Sequence, residues 1–188
     1  VFLDISKRIK RYADLEKQLI KKCFEHLTED PNLVLSINLS SRDMIDGDVS
    51  ALVLNLLNKH NVAGRIVFEI VEDEELKSAE RVSVFVERAK SMGAMIAIDD
   101  FGSGYSNFSY IIKIKPDYVK IDGSIIKDID INKDSYAIAS AIVAFAKDLG
   151  IKTIAEYVHS KEIFNVCKEI GIDEFQGFYL GLPSKKAF

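Results

Sequence analysis

The chain has 188 residues, of which 48% are hydrophobic and 29% are charged, with a formal net charge of −4 and a pI of about 5.5. The apolar fraction is sufficient for a buried core and excludes general disorder, and the length predicts one domain over residues 1–188. The acidic balance excludes a protein that coats nucleic acid, so neither DNA nor RNA is an expected partner.

Two features of the sequence concern the compartment. Cys23 and Cys167 lack the CxxC or Cys/His spacing of a zinc site, which predicts reduced thiols. No apolar run approaches the ~20 residues of a membrane span, and the charged start VFLDISKRIKRY differs from a secretory signal peptide. The sequence therefore predicts a cytoplasmic protein, and a membrane anchor elsewhere in a longer parent protein would be compatible with it.

Helix-like and strand-like patterns alternate along the chain. Apolar residues at helical spacing span 4–29. Further along, the predicted strands are 33–40, 65–72, 95–100, 117–122, 152–156 and 174–181, and the predicted helices are 46–60, 77–92, 106–113, 133–149 and 160–170. This alternation predicts an α/β fold with parallel strands joined by crossover helices.

Two parallel architectures fit this order, the doubly wound open sheet and the closed eight-unit barrel. The strand count alone favours the open sheet. However, polar residues end nearly every strand: Asn38, Glu69, Asp99, Lys120, Glu156 and Gln176. Because a barrel gathers the ends of many strands around one mouth, the pattern favours a modified TIM-like (β/α)8 barrel that is missing about its first two strands.

Acidic residues stand at positions where strands should be buried. Glu69 lies inside IVFEIV, where a lone carboxylate is costly to bury, although an outward-facing acid at a strand edge is the alternative. Asp99 and Asp100 close MIAIDD, and helix capping or turn formation is their alternative role. Since adjacent strand residues face opposite ways, both aspartates can serve one site only if Asp100 has left the strand.

Further strand-end residues extend this acidic set. Glu156 closes KTIAE and Asn38 offers a neutral oxygen. Such hard ligands suit Mg²⁺ or Mn²⁺, and paired ions of this kind recur in displacement at phosphorus. Lys120 in YVKID would be the cation near a phosphate, with a snorkelling surface lysine as the alternative. The sequence therefore indicates a site for one or two divalent cations.

The segment FGSGYSN at 101–107 follows the paired aspartates. It is not a dinucleotide fingerprint, because the third glycine is absent. The letters DFG do not indicate a kinase, since no HRD segment or VAIK-type lysine accompanies them, and a P-loop is also absent. Glu72, three residues after Glu69, is a further candidate, although the acid run EDEEL is typical of a solvated helix start.

Six segments resemble motifs of the EAL phosphodiesterases, which linearise cyclic di-GMP. They are, in the family's order, SINLS, FEIVE, AIDDFGSGYSN, VKID, AEYV and QGFYLGLP. One such motif would be weak, whereas six in order are specific and cover nearly the whole chain. The resemblance implies a modified eight-unit barrel, hydrolysis of cyclic di-GMP to linear pGpG in bacterial second-messenger signalling, and further signalling domains in the parent protein. The unpaired edges left by two missing strands predict a self-associated form, such as a homodimer.

The resemblance also implies roles for individual residues. The metal ligands would be Asn38, Glu69, Asp99, Asp100 and Glu156. Lys120 would hold the attacking water or a phosphate oxygen, and Glu156 would serve the second ion or act as general base. Gln176 would support the site, and Glu72 would hold the loop that follows Asp100. Mg²⁺ or Mn²⁺ is the implied cofactor.

The sequence departs from the family's pattern at several points. Val71 replaces the usual threonine, Tyr157 a glycine, and His159 a second glutamate. The chain also begins after the Glu-Ala-Leu segment, whose glutamate ligates metal in the family, so we expect these residues alone to show little or no hydrolysis and an upstream-extended chain to be active. The alternative is an inactive EAL-like module that binds cyclic di-GMP or a protein partner as a sensor.

Overall fold

A computed structural model describes residues 12–45, 47–71, 76–103 and 108–184. In chain order the elements are α1 (Tyr12–Glu29), β1 (Leu35–Leu39), α2 (Ser41–Ile45), α3 (Gly47–Lys59), β2 (Ile66–Val71), α4 (Leu76–Ser91), β3 (Met95–Phe101), α5 (Phe108–Ile114), β4 (Tyr118–Ile121), α6 (Gly123–Ile126), α7 (Lys133–Asp148), β5 (Lys152–Ala155), α8 (Lys161–Glu169) and β6 (Glu174–Phe175). The predicted alternation is confirmed, and the start of the helix predicted at 4–29 lies outside the described residues.

The strands form one parallel sheet in the order of the sequence. The order is β1-β2-β3-β4-β5-β6, and every adjacent pair is parallel. A doubly wound sheet reverses its strand order at a switch point, whereas a barrel wall adds each strand beside the preceding one. The sheet is therefore the wall of a TIM-like barrel, as predicted. Within the described residues, β1 and β6 each have a single neighbouring strand.

The two faces of this sheet differ in chemistry. One face is apolar, and its side chains join those of the helices in a single hydrophobic cluster that includes Ile37, Phe68, Ile98, Val119 and Ala155. Since successive side chains of a strand point to opposite faces, the residue after each of these lies on the other face. Those residues are Asn38, Glu69, Asp99, Lys120 and Glu156. The helices thus cover the apolar face, and the polar residues line the inside of the barrel wall.

Capping residues set where the helices begin. The Asn132 side chain accepts hydrogen bonds from the backbone N–H groups of Asp134 and Ser135 at the start of α7. Ser160 does the same for the N–H of Ile163 in α8. In the part of the chain that the structure describes, no helix is both long and apolar enough to cross a lipid bilayer.

The strand predicted at 174–181 is wrong beyond Phe175. Gln176 still donates its N–H to Ala155 O at 2.8 Å, but the chain then turns around Val158, whose O accepts from Tyr179 N at 3.0 Å. The turn requires Gly177, which has φ 155°, because a Cβ there would lie 2.2 Å from Val158 O. The apolar run after Gly177 has no adjacent strand to pair with, since β5 ends at Ala155.

Candidate functional site

Lys120 lies at the centre of a buried cluster of three carboxylates. Its Nζ is 2.9 Å from Glu69 Oε2, 2.6 Å from Asp99 Oδ1 and 2.9 Å from Glu156 Oε1. The lysine side chain is 5% exposed and the carboxylates are 12–17% exposed. Three acids on one ammonium group leave excess negative charge, which attracts a further cation. We call these four residues the lysine cluster.

The register of the strands explains why these side chains meet. Asn38 is paired with Glu69 across β1 and β2, and Val71 is paired with Asp99 across β2 and β3. Lys120 pairs with Ile154, two residues before Glu156. Alternate residues share a face, so the three acids and the lysine project from the carboxyl-terminal edge of the sheet toward one point. This edge is where barrel folds carry their active sites.

Asn38 and Gln176 lie at the same edge of the sheet. Asn38 is level with Glu69 on β1, and Gln176 directly follows β6. Both residues are exposed, and neither is among the described contacts of Lys120. All six strand-end residues singled out by the sequence therefore share one edge, with these two at its open sides. Their roles remain predictions.

A backbone irregularity lets both neighbouring aspartates face the site. The pairing of β3 with β4 shifts register between Ile98 and Phe101, and Asp100 within this stretch has φ 55°. Asp100 thus departs from regular strand geometry, although β3 itself continues to Phe101. The left-handed residue instead reorients the chain inside the strand, as bulges next to active sites do.

Asp99, Asp100 and Glu156 form a group that suits a metal ion. One carboxylate oxygen from each lies within 4.8 Å of the others. Opposite oxygen ligands of a divalent cation at ~2.1–2.4 Å stand about 4.2–4.8 Å apart, so one ion can contact all three. Carboxylate oxygens are the donors that Mg²⁺ and Mn²⁺ prefer. Glu69 lies outside this group but shares Lys120 with Asp99 and Glu156.

The environment shifts the pKa values of several site groups. Burial lowers the pKa of Lys120, but hydrogen bonds to Asp99, Glu156 and Glu69 outweigh it and raise the pKa overall, so the side chain stays an ammonium ion. Burial raises the pKa of Glu156, against the opposing effect of Lys120. The pKa of Asp100 is raised by burial first and then by the charges of Asp99 and Asp122.

A groove borders the lysine cluster beyond the end of β5. It has a volume of about 430 Å³ and is lined by Asp122, Gly123, Glu156, Tyr157, His159, Gln176, Gly177 and Phe178. The sequence marked Tyr157 and His159 only as departures from a motif, and it missed Asp122 and Phe178. Asp122 stands two residues after Lys120 in VKID, which was the available signal. Glu72 and residues 104–107 of the glycine-containing loop lie outside the described residues.

Comparison with known proteins supplies a family. The family model described as "EAL domain" matches residues 1–183. The chain is 30% identical over 191 residues to the cyclic di-GMP phosphodiesterase PdeB of Shewanella oneidensis, covering 99% of this chain and 22% of PdeB. It is 29% identical to the cyclic di-GMP phosphodiesterase PdeF of Escherichia coli, covering 97% of this chain and 25% of PdeF. The chain thus spans a quarter or less of these relatives.

Solved structures of related domains share the fold. The PaMucR phosphodiesterase in complex with c-di-GMP superposes with a TM-score of 0.86 at 26% identity, over 97% of this chain and 76% of that one. Klebsiella pneumoniae BlrP1, in a manganese/cy-diGMP complex, gives a TM-score of 0.81 at 26% identity, over 90% of this chain and 44% of that one. The Xanthomonas citri FimX EAL domain, at 20% identity and a TM-score of 0.89 over 100% of this chain and 77% of that one, supports the fold alone.

Proposed function

Because the chain belongs to the EAL domain family, we propose that this protein hydrolyses cyclic di-GMP to linear pGpG with the help of Mg²⁺ or Mn²⁺. The observation that carries the proposal is the lysine cluster, in which three carboxylates converge on one ammonium group beside Asp100. The similarity to PdeB and PdeF, both cyclic di-GMP phosphodiesterases, supports the choice of substrate. The manganese and c-di-GMP in the BlrP1 complex support the cation.

The residues of the cluster have distinct chemical roles in this proposal. Asp99, Asp100 and Glu156 hold a divalent cation, and Asn38 and Glu69 extend the ligand set on the side of β1 and β2. A bound divalent cation neutralises charge on the phosphodiester and makes a water molecule more acidic. The surrounding protein keeps these ligands in place before the substrate arrives.

Lys120 and Glu156 are assigned the roles of hydrogen-bond donor and proton acceptor. The raised pKa of Lys120 makes it a permanent hydrogen-bond donor, suited to a phosphate oxygen or the attacking water and unsuited to the role of base. Glu156 would either ligate an ion or act as general base, and in the second role the burial that raises its pKa would favour proton acceptance. Gln176 supports the site from the end of β6, and Glu72, which lies outside the described residues, anchors the loop after Asp100 in this proposal.

The wider context of the protein is also part of the proposal. The curated relatives are about four times longer than this chain, so we expect other signalling domains in the protein that carries it. We place its action in the cytoplasm, where the two free thiols would remain reduced. A homodimer is also part of the proposal. Light scattering of the purified protein tests the dimer.

The enzyme assay follows cyclic di-GMP and its linear product by chromatography, with Mg²⁺ or Mn²⁺, using the whole protein that carries this chain. Asp99→Asn and Glu69→Gln should each lower turnover by more than ~100-fold. Loss of a residue that only hydrogen-bonds to a metal ligand already costs ~10–100-fold, and loss of a ligand itself should cost at least as much. Asp130→Asn, an exposed change in the turn before α7, is the matched control. Wild-type turnover by either cluster variant at low Mg²⁺ would refute the proposal.

A second function is an inactive sensor that binds cyclic di-GMP. Two observations favour it: Tyr157, with φ 59°, stands where the family has glycine, and His159 stands where the family has a second glutamate. A sensor would bind cyclic di-GMP tightly and release no product in the assay above. Binding with turnover would exclude it.

A further inference from the structure

Tyr157 adopts a backbone conformation that side chains rarely take. Its φ of 59° lies in the left-handed region, which is strained for a residue other than glycine. Tyr157 immediately follows Glu156 of the lysine cluster. A strained residue next to a candidate active site indicates a functional constraint more often than chance.

The surrounding residues hold this conformation in place. A Cβ built on Gly123 would lie 2.9 Å from Tyr157 Cβ and 3.4 Å from its Cγ, so only glycine at 123 leaves room for the tyrosine. On the other side, the His159 ring packs edge-on against the Tyr157 ring with centroids 5.3 Å apart. The Nδ1 atom of His159 is 3.1 Å from Tyr157 O. The ring is therefore fixed between the start of α6 and His159.

The ring is fixed but it is not buried. Tyr157 is 60% exposed and Phe178, which also lines the groove, is 67% exposed. Exposed aromatic rings beside polar acceptors suit the flat face and the N–H donors of a nucleobase. Asp122 and Gln176 provide such acceptors in the same groove. A guanine offers an N–H and an amino group on one edge.

The groove and the lysine cluster share Glu156, so a ligand could place its phosphate at the cluster and its base in the groove. Glu156 contacts Lys120 at 2.9 Å and also lines the groove. A phosphodiester held at the cluster would therefore place an attached nucleoside in the groove. We infer that Tyr157 is a specificity-determining residue of this chain, whose ring stacks on one guanine base of cyclic di-GMP. This inference rests on the proposed substrate, but it concerns binding and does not require hydrolysis.

The test is the dissociation constant of cyclic di-GMP, measured by calorimetry in Ca²⁺ for the whole protein. Removing a stacked base partner costs ~1–3 kcal/mol, so Tyr157→Ala should weaken binding by about 5- to 150-fold, and Tyr157→Phe should stay within about twofold. Tyr157→Gly should lose as much as Tyr157→Ala while relieving the backbone, so misfolding cannot explain the loss. Tyr136→Ala, an exposed tyrosine on α7 that is absent from the groove lining, is the control.

The outcomes separate this inference from the proposed function. Equal dissociation constants for wild type, Tyr157→Ala and Tyr157→Gly would overturn the stacking role even if hydrolysis is observed. Weakened binding in those two variants supports it even if no variant releases product, in which case the hydrolytic function fails alone. An unmodified protein that does not bind cyclic di-GMP at all overturns both.

Discussion

Carboxylates stand at both edges of the sheet, and their partners differ. At the amino-terminal edge, Asp117 accepts a hydrogen bond from the backbone N–H of Ile96 at 2.8 Å and from Lys90 Nζ at 2.8 Å. Asp173 likewise accepts from the N–H of Thr153 at 2.8 Å and from its hydroxyl at 2.9 Å. Each of these acids ties the entry of one strand to the neighbouring strand, so each is part of the framework.

The acids at the carboxyl-terminal edge have different partners among the described residues. Glu69, Asp99 and Glu156 meet at Lys120, and no described hydrogen bond joins their carboxylates to backbone N–H groups. Their mutual proximity disfavours the fold unless cations are present. The partner of a buried acid, more than its burial, therefore distinguishes a structural carboxylate from one retained for chemistry.

Removing Lys120 should have the largest effect on the stability of the fold. Lys120→Met leaves three partly buried carboxylates without their cation, and we expect the free energy of unfolding to fall by about 3–5 kcal/mol at neutral pH. Mn²⁺ should restore part of the loss, because a divalent cation can replace the ammonium charge. Urea unfolding with and without Mn²⁺ measures both effects.

The matched change at the other edge is Lys152→Met. Lys152 is 59% exposed and its Nζ is 3.6 Å from Glu174 Oε1, so its removal should cost less than ~1 kcal/mol and Mn²⁺ should not alter the result. A comparable, Mn²⁺-sensitive loss in both variants would contradict the distinction between the edges.

Replacing a structural acid such as Asp117 should lower the stability of the fold without changing the affinity for a metal ion. Asp117→Ala leaves the N–H of Ile96 without its side-chain acceptor and removes the partner of Lys90, which should lower the free energy of unfolding by about 1–3 kcal/mol. Thermal or urea unfolding measures the change, with Asp130→Ala in an exposed turn as control. If Asp117→Ala proved as stable as the control, the framework role of this edge would be wrong.

Glu16 is a partly buried carboxyl group that lies beside another acid, Asp43. Burial, followed by the hydrogen bond and charge of Asp43, raises the pKa of Glu16 on α1 to about 8. A carboxyl group whose folded-state pKa is raised contributes stability at low pH and loses it as pH rises. The free energy of unfolding should therefore fall between pH 4.5 and about 8 through this group.

Glu16→Gln should flatten that decline, since the amide cannot ionise. Unfolding measured across this pH range checks it, and Glu25→Gln, at an exposed position on the same helix, should leave the slope unchanged. Equal slopes for wild type and Glu16→Gln would show that Glu16 does not carry this pH dependence.

The sequence was sufficient to predict the alternation of strands and helices and to identify the polar residues at the ends of the strands. Buried strands read as apolar runs, and a charged residue such as Glu69 inside such a run stands out. The irregularity at Asp100 and the turn at Gly177 were not predictable, because they depend on contacts with other strands and with Val158. The groove around Tyr157 also depends on tertiary contacts, since Gly123 lies far from it in sequence.

We interpret the acids at the carboxyl-terminal edge as residues retained for a divalent cation. Mn²⁺ titration followed by electron paramagnetic resonance tests it directly, without reference to any substrate. We predict that the protein binds Mn²⁺, that Asp99→Asn weakens the affinity by at least ~10-fold, and that Asp117→Asn leaves it unchanged. Equal affinity in the two variants, or no Mn²⁺ binding by the unmodified protein, would contradict the account.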